Sequence, residues 1–297
     1  MSVLAGGLAL LSAVTFAGST STQHHAAEHA PPDSRGPFTL VRHLLTQPLW
    51  LIGQALAIAG LALHATALHL GSIAVVQPIV ISGVVLAVPV RSALSRRWPW
   101  PREMVAVGVA AAGLTVFLIA SKPSQGLDAP LSEPALLITG VGVVLAVVAG
   151  LLSRFVGHPT RQSFLLGISA GVLFGLVAGL MKAVLDLLTR DGPWVTLASW
   201  TTWALILLGV AAVVVNQYAY RLARLSASMP VLNVIDGVVA ITFGYYAFHE
   251  VPRHTPFYLG LQVLAFAAIT AGLFVVARLE DEQEEDAQHE HPPEDGA

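Results

Sequence analysis

Cysteine is absent from all 297 residues. That excludes disulfides, thiolate metal sites and cysteine nucleophiles, and leaves the compartment open. Charge is scarce too: Asp, Glu, Lys and Arg make up 11% of the chain, against roughly 25% in soluble domains. There is no H-E-x-x-H or P-loop, and the one G-x-S-x-G, GISAG at Gly167–Gly171, lies inside an apolar run with no strand before it, so zinc-protease, nucleotide and serine-hydrolase chemistry lack a motif in its proper setting. The chain is expected to be no enzyme and to need no cofactor. Its basic residues are scattered through short segments and form no nucleic-acid patch.

What the sequence has in quantity is apolar: 55% hydrophobic residues and a mean hydropathy of +0.71. A hydrocarbon core of about 30 Å needs about 20 apolar residues per helix. Nine runs meet that length, at 3–22, 49–69, 72–92, 103–121, 134–153, 163–186, 200–220, 225–248 and 257–277. The composition therefore predicts an all-α polytopic membrane protein of nine transmembrane helices, with the lipid bilayer as its first partner. The first run has no basic n-region and no A-x-A site behind it, so it reads as a span and not as a leader.

Lys and Arg in short loops orient such a chain. With nine alternating spans, one side receives Arg35, Arg42, Arg91, Arg96, Arg97, Arg102, Arg154, Arg161, Arg221, Arg224 and Arg278. The other receives Lys122, Arg190 and Arg253, and Lys182 stays within a span. This bias predicts a multi-pass plasma (inner) membrane protein with its N-terminus outside and its C-terminus cytoplasmic. The acidic end, 280–297, reads as a disordered solvating tail.

The two halves repeat. WLIGQALAIAGLALHATALHLGSIAVVQP, Trp50 to Pro78, aligns with WALILLGVAAVVVNQYAYRLARLSASMP, Trp203 to Pro230. The prolines in register pair His64 with Asn216, Ala67 with Ala219 and Leu70 with Leu222. AAAGLTVFLIAS matches AITAGLFVVAR through Gly113 and Gly272, and GLALLSAVTFAGST resembles GISAGVLFGLVAGL. Spans one to four (1–121) thus correspond to spans six to nine (157–279), and span five within 122–156 is a connector. An odd connector inverts the second copy, an arrangement secondary transporters use.

These residues resemble the drug/metabolite transporter superfamily, and more closely its nine-span branch of NIPA-type magnesium transporters, from about Gly7 to Arg278. The likeness rests on LALLSAVTFAGS, on PLW followed by HATALHLGSIAVVQP, on GLMKAV in span six, on NQYAYRLA with the following MP, and on FHE. Gln217 with Tyr220 matches that branch's Gln-x-x-Tyr, and Lys182 matches its span-six lysine. Thr22, Gln23, His24 and His25 stand where the branch has a basic run, and Leu61 where it has a glutamate. The resemblance implies transport of Mg²⁺ or another divalent cation.

Ionisable side chains at bilayer depth cost about 2.5–3.5 kcal/mol each and usually face a cavity or a partner. Asp236 lies near the middle of span eight, with Asn233 on the same helical face and Pro230 a turn earlier. It is the leading candidate to bind substrate or coupling ion, and the best candidate for a metal. Asn216 and Gln217 in span seven add amides, and His64, Gln54 and Gln77 are their candidates in the other half. The alternative is that these groups only bond neighbouring helices together. Lys182 either pairs with Asp186 four residues on, snorkels to the headgroups, or reaches Asp236 across the repeat interface. Gly167, Gly171, Gly175 and Gly179 form a smooth ridge for close helix packing. His25 with His29, and His289 with His291, have metal-like spacing but read as solvated.

The sequence thus points to a secondary transporter of a small solute or cation working by alternating access. A proton-coupled exporter of a metabolite or drug, with Asp236 carrying the proton, is the alternative. A non-transporting scaffold acting through the acidic tail is a second. A homodimer is compatible with all three.

Overall fold

A computed structural model describes residues 3–28, 46–83, 101–122, 126–127, 129–222 and 225–290. Among these the chain is all helical: α1 (Val3–Glu28), α2 (Pro48–Leu70), α3 (Ile73–Ile81), α4 (Pro101–Ser121), α5 (Ser132–Arg154), α6 (Pro159–Ala198), α7 (Trp200–Leu222), α8 (Leu225–Ala247) and α9 (Pro256–Glu290). Four of them, α2, α4, α6 and α9, begin on proline, whose fixed φ and missing N–H suit the first helical turn. Segments within α2, α4, α5, α6, α8 and α9 are long and apolar enough to cross a membrane, while α1 and α7 carry shorter apolar stretches, Val3–Ser19 and Trp200–Asn216. The protein is a polytopic membrane protein.

Helix α6 forms the axis of the bundle. Two-thirds of its apolar window (67%) is buried, against 22–33% for α2, α4, α5 and α9. It packs against α7, α8 and α5, and α1 packs against α2 and α3. Helix α5 presents Leu137, Val141, Val144, Val148 and Leu152 to the outside, as a helix facing lipid should.

The ridge of glycines on α6 meets α8 in register. A methyl group at Gly167 would lie 2.8 Å from the Ser228 carbonyl oxygen, at Gly171 2.6 Å from that of Leu232, and at Gly175 2.7 Å from that of Asp236. At Gly179 it would meet the Phe243 ring. Both sequences climb together, so α6 and α8 run in the same direction with their backbones in close approach. On α1 the same role falls to Ala5, Ala9, Ala13 and Ala17, all buried, with Ala5 against Gly71 and Ala13 against Gly83.

Helices α4 and α9 cross through small residues, reciprocally. Gly113 faces Ala265 and Ile269, and Gly272 faces Ala106 and Ala110. One partner's numbers rise as the other's fall, so these two helices are antiparallel.

The helix of span six runs about a turn past Asp186 to a break at Gly192, where φ is +82° just before Pro193, and a second short helix follows to Ala198. Only glycine takes that backbone conformation without strain. The acidic segment read as disordered is helical to Glu290. Its Glu, Gln and Ala residues are good helix formers that extend an existing helix without a new nucleation step. Pro78 and Pro230 lie inside α3 and α8 without interrupting either. Residues 84–92 of span three, the Arg91–Arg102 loop up to Trp100, and His29 and His291 lie outside the described residues. So do the side chains of His24, His25, Gln217, Tyr220 and His289.

Candidate functional site

Three of the polar residues singled out in the sequence meet inside the bundle. Gln77 on α3 is 2% exposed. Its side-chain amide donates Nε2–H to Asp236 Oδ1 on α8 at 2.9 Å. Its Oε1 lies 3.1 Å from His64 Nε2 on α2. An amide can bridge in this way because it carries a donor and an acceptor on one planar group. The chain His64–Gln77–Asp236 joins α2 and α3 of the first half to α8 of the second. Asp236 and His64 are half-buried.

The Asp236 backbone is positioned from the other side by the ridge: its carbonyl oxygen sits over Gly175. A side chain at 175 would push α8 away, so ridge and carboxylate form one local unit. Asn233, a turn before Asp236, is 8% exposed, and its Nδ2 has no hydrogen-bond partner among the described residues. Asn216 Oδ1 on α7 is buried and equally unpartnered among them. A buried polar group without a partner costs about 1–3 kcal/mol. The Asn233 donor thus stands one turn from the carboxylate on α8, and the Asn216 acceptor is on α7.

Lys182 goes elsewhere. Its ammonium is buried and pairs with Glu250 Oε1, and it also donates to the Gly71 carbonyl at 2.8 Å. It lies 4.9 Å over the Phe248 ring. None of the three expectations for it names this partner: the ammonium does not snorkel to the headgroups, and its ion pair is with Glu250, neither with Asp236 nor with Asp186. Asp186 pairs with His69 Nδ1 at 2.5 Å. Glu250 is 1% exposed, and its other oxygen accepts from Ile73 N at 2.7 Å.

Sequence reading quoted Glu250 and His69 but gave neither a role. The available signal was that each stands at the end of an apolar run, beside a turn. The partnership itself joins residues 68 and 177 positions apart, which no local pattern encodes. Gln54 makes no contact with the chain of three that the structure records.

An apolar groove of about 740 Å³ opens between α5, α6 and α8, lined by Leu137, Val141, Val172, Val239, Thr242 and Tyr246 among others. It contains none of the polar groups above and is not taken as the site. Among the described residues no group of three or more His, Asp or Glu side chains is arranged to hold a metal ion.

The chain is 26% identical over 251 residues to an uncharacterised protein of Corynebacterium glutamicum, covering 84% of this chain and 86% of that one. No protein-family model matches it, and no solved structure matches it. On fold and composition it is an all-α, multi-spanning membrane protein.

Proposed function

We propose that the protein is a secondary transporter of nine spans, built as two inverted four-helix repeats around α5, that moves a small solute by alternating access. In this reading α1–α4 and α6–α9 rock against each other around the His64–Gln77–Asp236 chain. That chain is the observation which carries the proposal: a carboxylate, an amide and an imidazole hydrogen-bonded across the halves inside an apolar bundle. Charged and polar groups at such depth are costly unless they are used.

The inverted repeat has its own support. Gly113 and Gly272, equivalent in the sequence alignment, contact equivalent partners: Ala265 and Ile269 for one, Ala106 and Ala110 for the other. Reciprocal contacts of this kind are what a two-fold axis produces. Ala67 and Ala219, also equivalent, are both fully buried. The α1–α2 pair is matched by α6–α7, and α1–α3 by α6–α8. This agrees with the resemblance to drug/metabolite transporters.

For the solute, the site chemistry favours a small polar organic molecule coupled to a proton on Asp236. Gln77 turns an N–H to Asp236, and the free group of Asn233 is an N–H donor as well. N–H donors do not ligate metals. A molecule that carries an acceptor complements the Asn233 donor. Mg²⁺ is the second reading. It rests on the resemblance and on the Asp236 carboxylate, since Mg²⁺ often uses one or two carboxylates with retained waters.

The test is flux in proteoliposomes, under an imposed pH gradient and separately with Mg²⁺, for the parent and Asp236→Asn. Asparagine keeps an acceptor for Gln77 but cannot carry a proton or a charge. Loss of proton-driven flux supports the first reading, and saturable Mg²⁺ uptake lost in the variant supports the second. Normal flux with unchanged pH dependence in Asp236→Asn refutes the role of this carboxylate.

A further inference from the structure

Helix α3 begins with an unusual cap. Its N-cap residue, Ser72, makes no side-chain capping bond, although serine is among the preferred caps. The first N–H groups of a helix have no partner within it. Here that of Ile73 is taken by Glu250 Oε2 at 2.7 Å, with that of Ala74 at 3.5 Å from the same oxygen. The carboxylate comes from the loop between α8 and α9, in the opposite half of the chain. An anion at a helix N-terminus is favoured by the helix dipole, and the Lys182 ammonium neutralises the other oxygen. The same ammonium holds the Gly71 carbonyl in the α2–α3 turn. One buried ion pair thus joins three segments: the turn before α3, the middle of α6 and the loop after α8.

Gln77 lies four residues beyond Ile73, one helical turn and about 6 Å further along α3. Helix α3 is held to the second half at two levels, by Glu250 at its start and by Asp236 through Gln77. A short helix moves as a unit, so release of its start displaces Gln77.

We propose that Glu250 is a positioning residue: paired with Lys182, it latches the start of α3 to the α8–α9 loop and thereby sets the Gln77–Asp236 contact. This end of the bundle is closed while the latch holds, and the His69–Asp186 pair ties α2 to α6 alongside it. The proposal rests on the reading of Asp236 as the transport site. It departs from a static staple in one respect: breaking the latch must expose Gln77, not only the start of α3.

Because the chain has no cysteine, single reporters can be placed without background. Ala74→Cys, 2% exposed, reports on the latch, and Ile79→Cys, 4% exposed and half a turn beyond Gln77, reports on the level of the site while leaving the Gln77–Asp236 contact intact. Leu70→Cys, at a position 40% exposed, is the control. Each is reacted with a water-soluble maleimide in liposomes, with and without Lys182→Met/Glu250→Met, which also leaves the Ile73 N–H without its acceptor. The double change leaves neither charge buried alone. The expected result is labelling at least tenfold faster at both 74 and 79, with 70 unchanged. Acceleration at 74 alone, or at neither, overturns the proposal. If the double variant is not recovered folded, Glu250→Asp serves in its place: it keeps the charge but is one methylene shorter, and the same three rates decide. Labelling requires no solute, so a failure of the transport reading shows in the flux assay and leaves this measurement intact.

Discussion

Replacing Gly175 by alanine adds one methyl group at the tightest point between α6 and the Asp236 backbone. That methyl would stand 2.7 Å from the Asp236 carbonyl oxygen and 2.7 Å from Val239 Cβ. Carbon contacts are comfortable at about 3.5–4.0 Å, so α8 must retreat by about 0.8 Å or more. Both close neighbours include backbone or β-branched atoms that cannot rotate away. Overpacking of this kind costs about 1–3 kcal/mol, partly offset by the better helix propensity of alanine, about 1 kcal/mol. Gly140→Ala removes the propensity from the comparison. Gly140 is also inside a helix, α5, but nothing lies within 4 Å of its added methyl. The two variants differ only in packing, so Gly175→Ala should be less stable than Gly140→Ala by about 1–3 kcal/mol. Reversible unfolding in mixed micelles measures the difference. Because the displaced oxygen belongs to Asp236, Gly175→Ala should lose flux as well. Equal stabilities for the two variants would refute the close-approach argument for the ridge.

Gly113→Ala and Gly272→Ala should destabilise by similar amounts, within about 1 kcal/mol of each other, since each added methyl meets a carbonyl at 2.8 Å across the same α4–α9 crossing. A large cost for one and none for the other, measured by the same unfolding assay, would count against the reciprocal contact. Deletion of 280–297 should leave flux in proteoliposomes unchanged, because the transport chain lies wholly in α2, α3 and α8. Flux abolished by that deletion would turn attention to the tail and to the scaffold alternative.

The division between what could be read in the sequence and what could not follows from the range of each interaction. Apolar runs about as long as the bilayer is thick fixed an all-α membrane protein, since lipid offers the backbone no hydrogen bonds and helices satisfy it locally. The four-residue spacing of Gly167, Gly171, Gly175 and Gly179 indicated a close-packing face, because helical periodicity puts such residues in one line. Asp236, Gln77 and His64 could be named singly as polar groups out of place. Their hydrogen-bonded order could not, because bonds between positions 13 and 159 apart depend on how three helices cross. The same limit explains Lys182. Its nearest acidic neighbour in sequence, Asp186, is bound to His69, while its own nitrogen finds Glu250. Sequence alone determined the solvent, the helical nature of the apolar runs and several of the polar groups that needed a partner, all of them properties of single segments. Which partner each found was decided only by tertiary packing, since a buried charge binds whatever opposite charge the fold brings within reach, however far away along the chain.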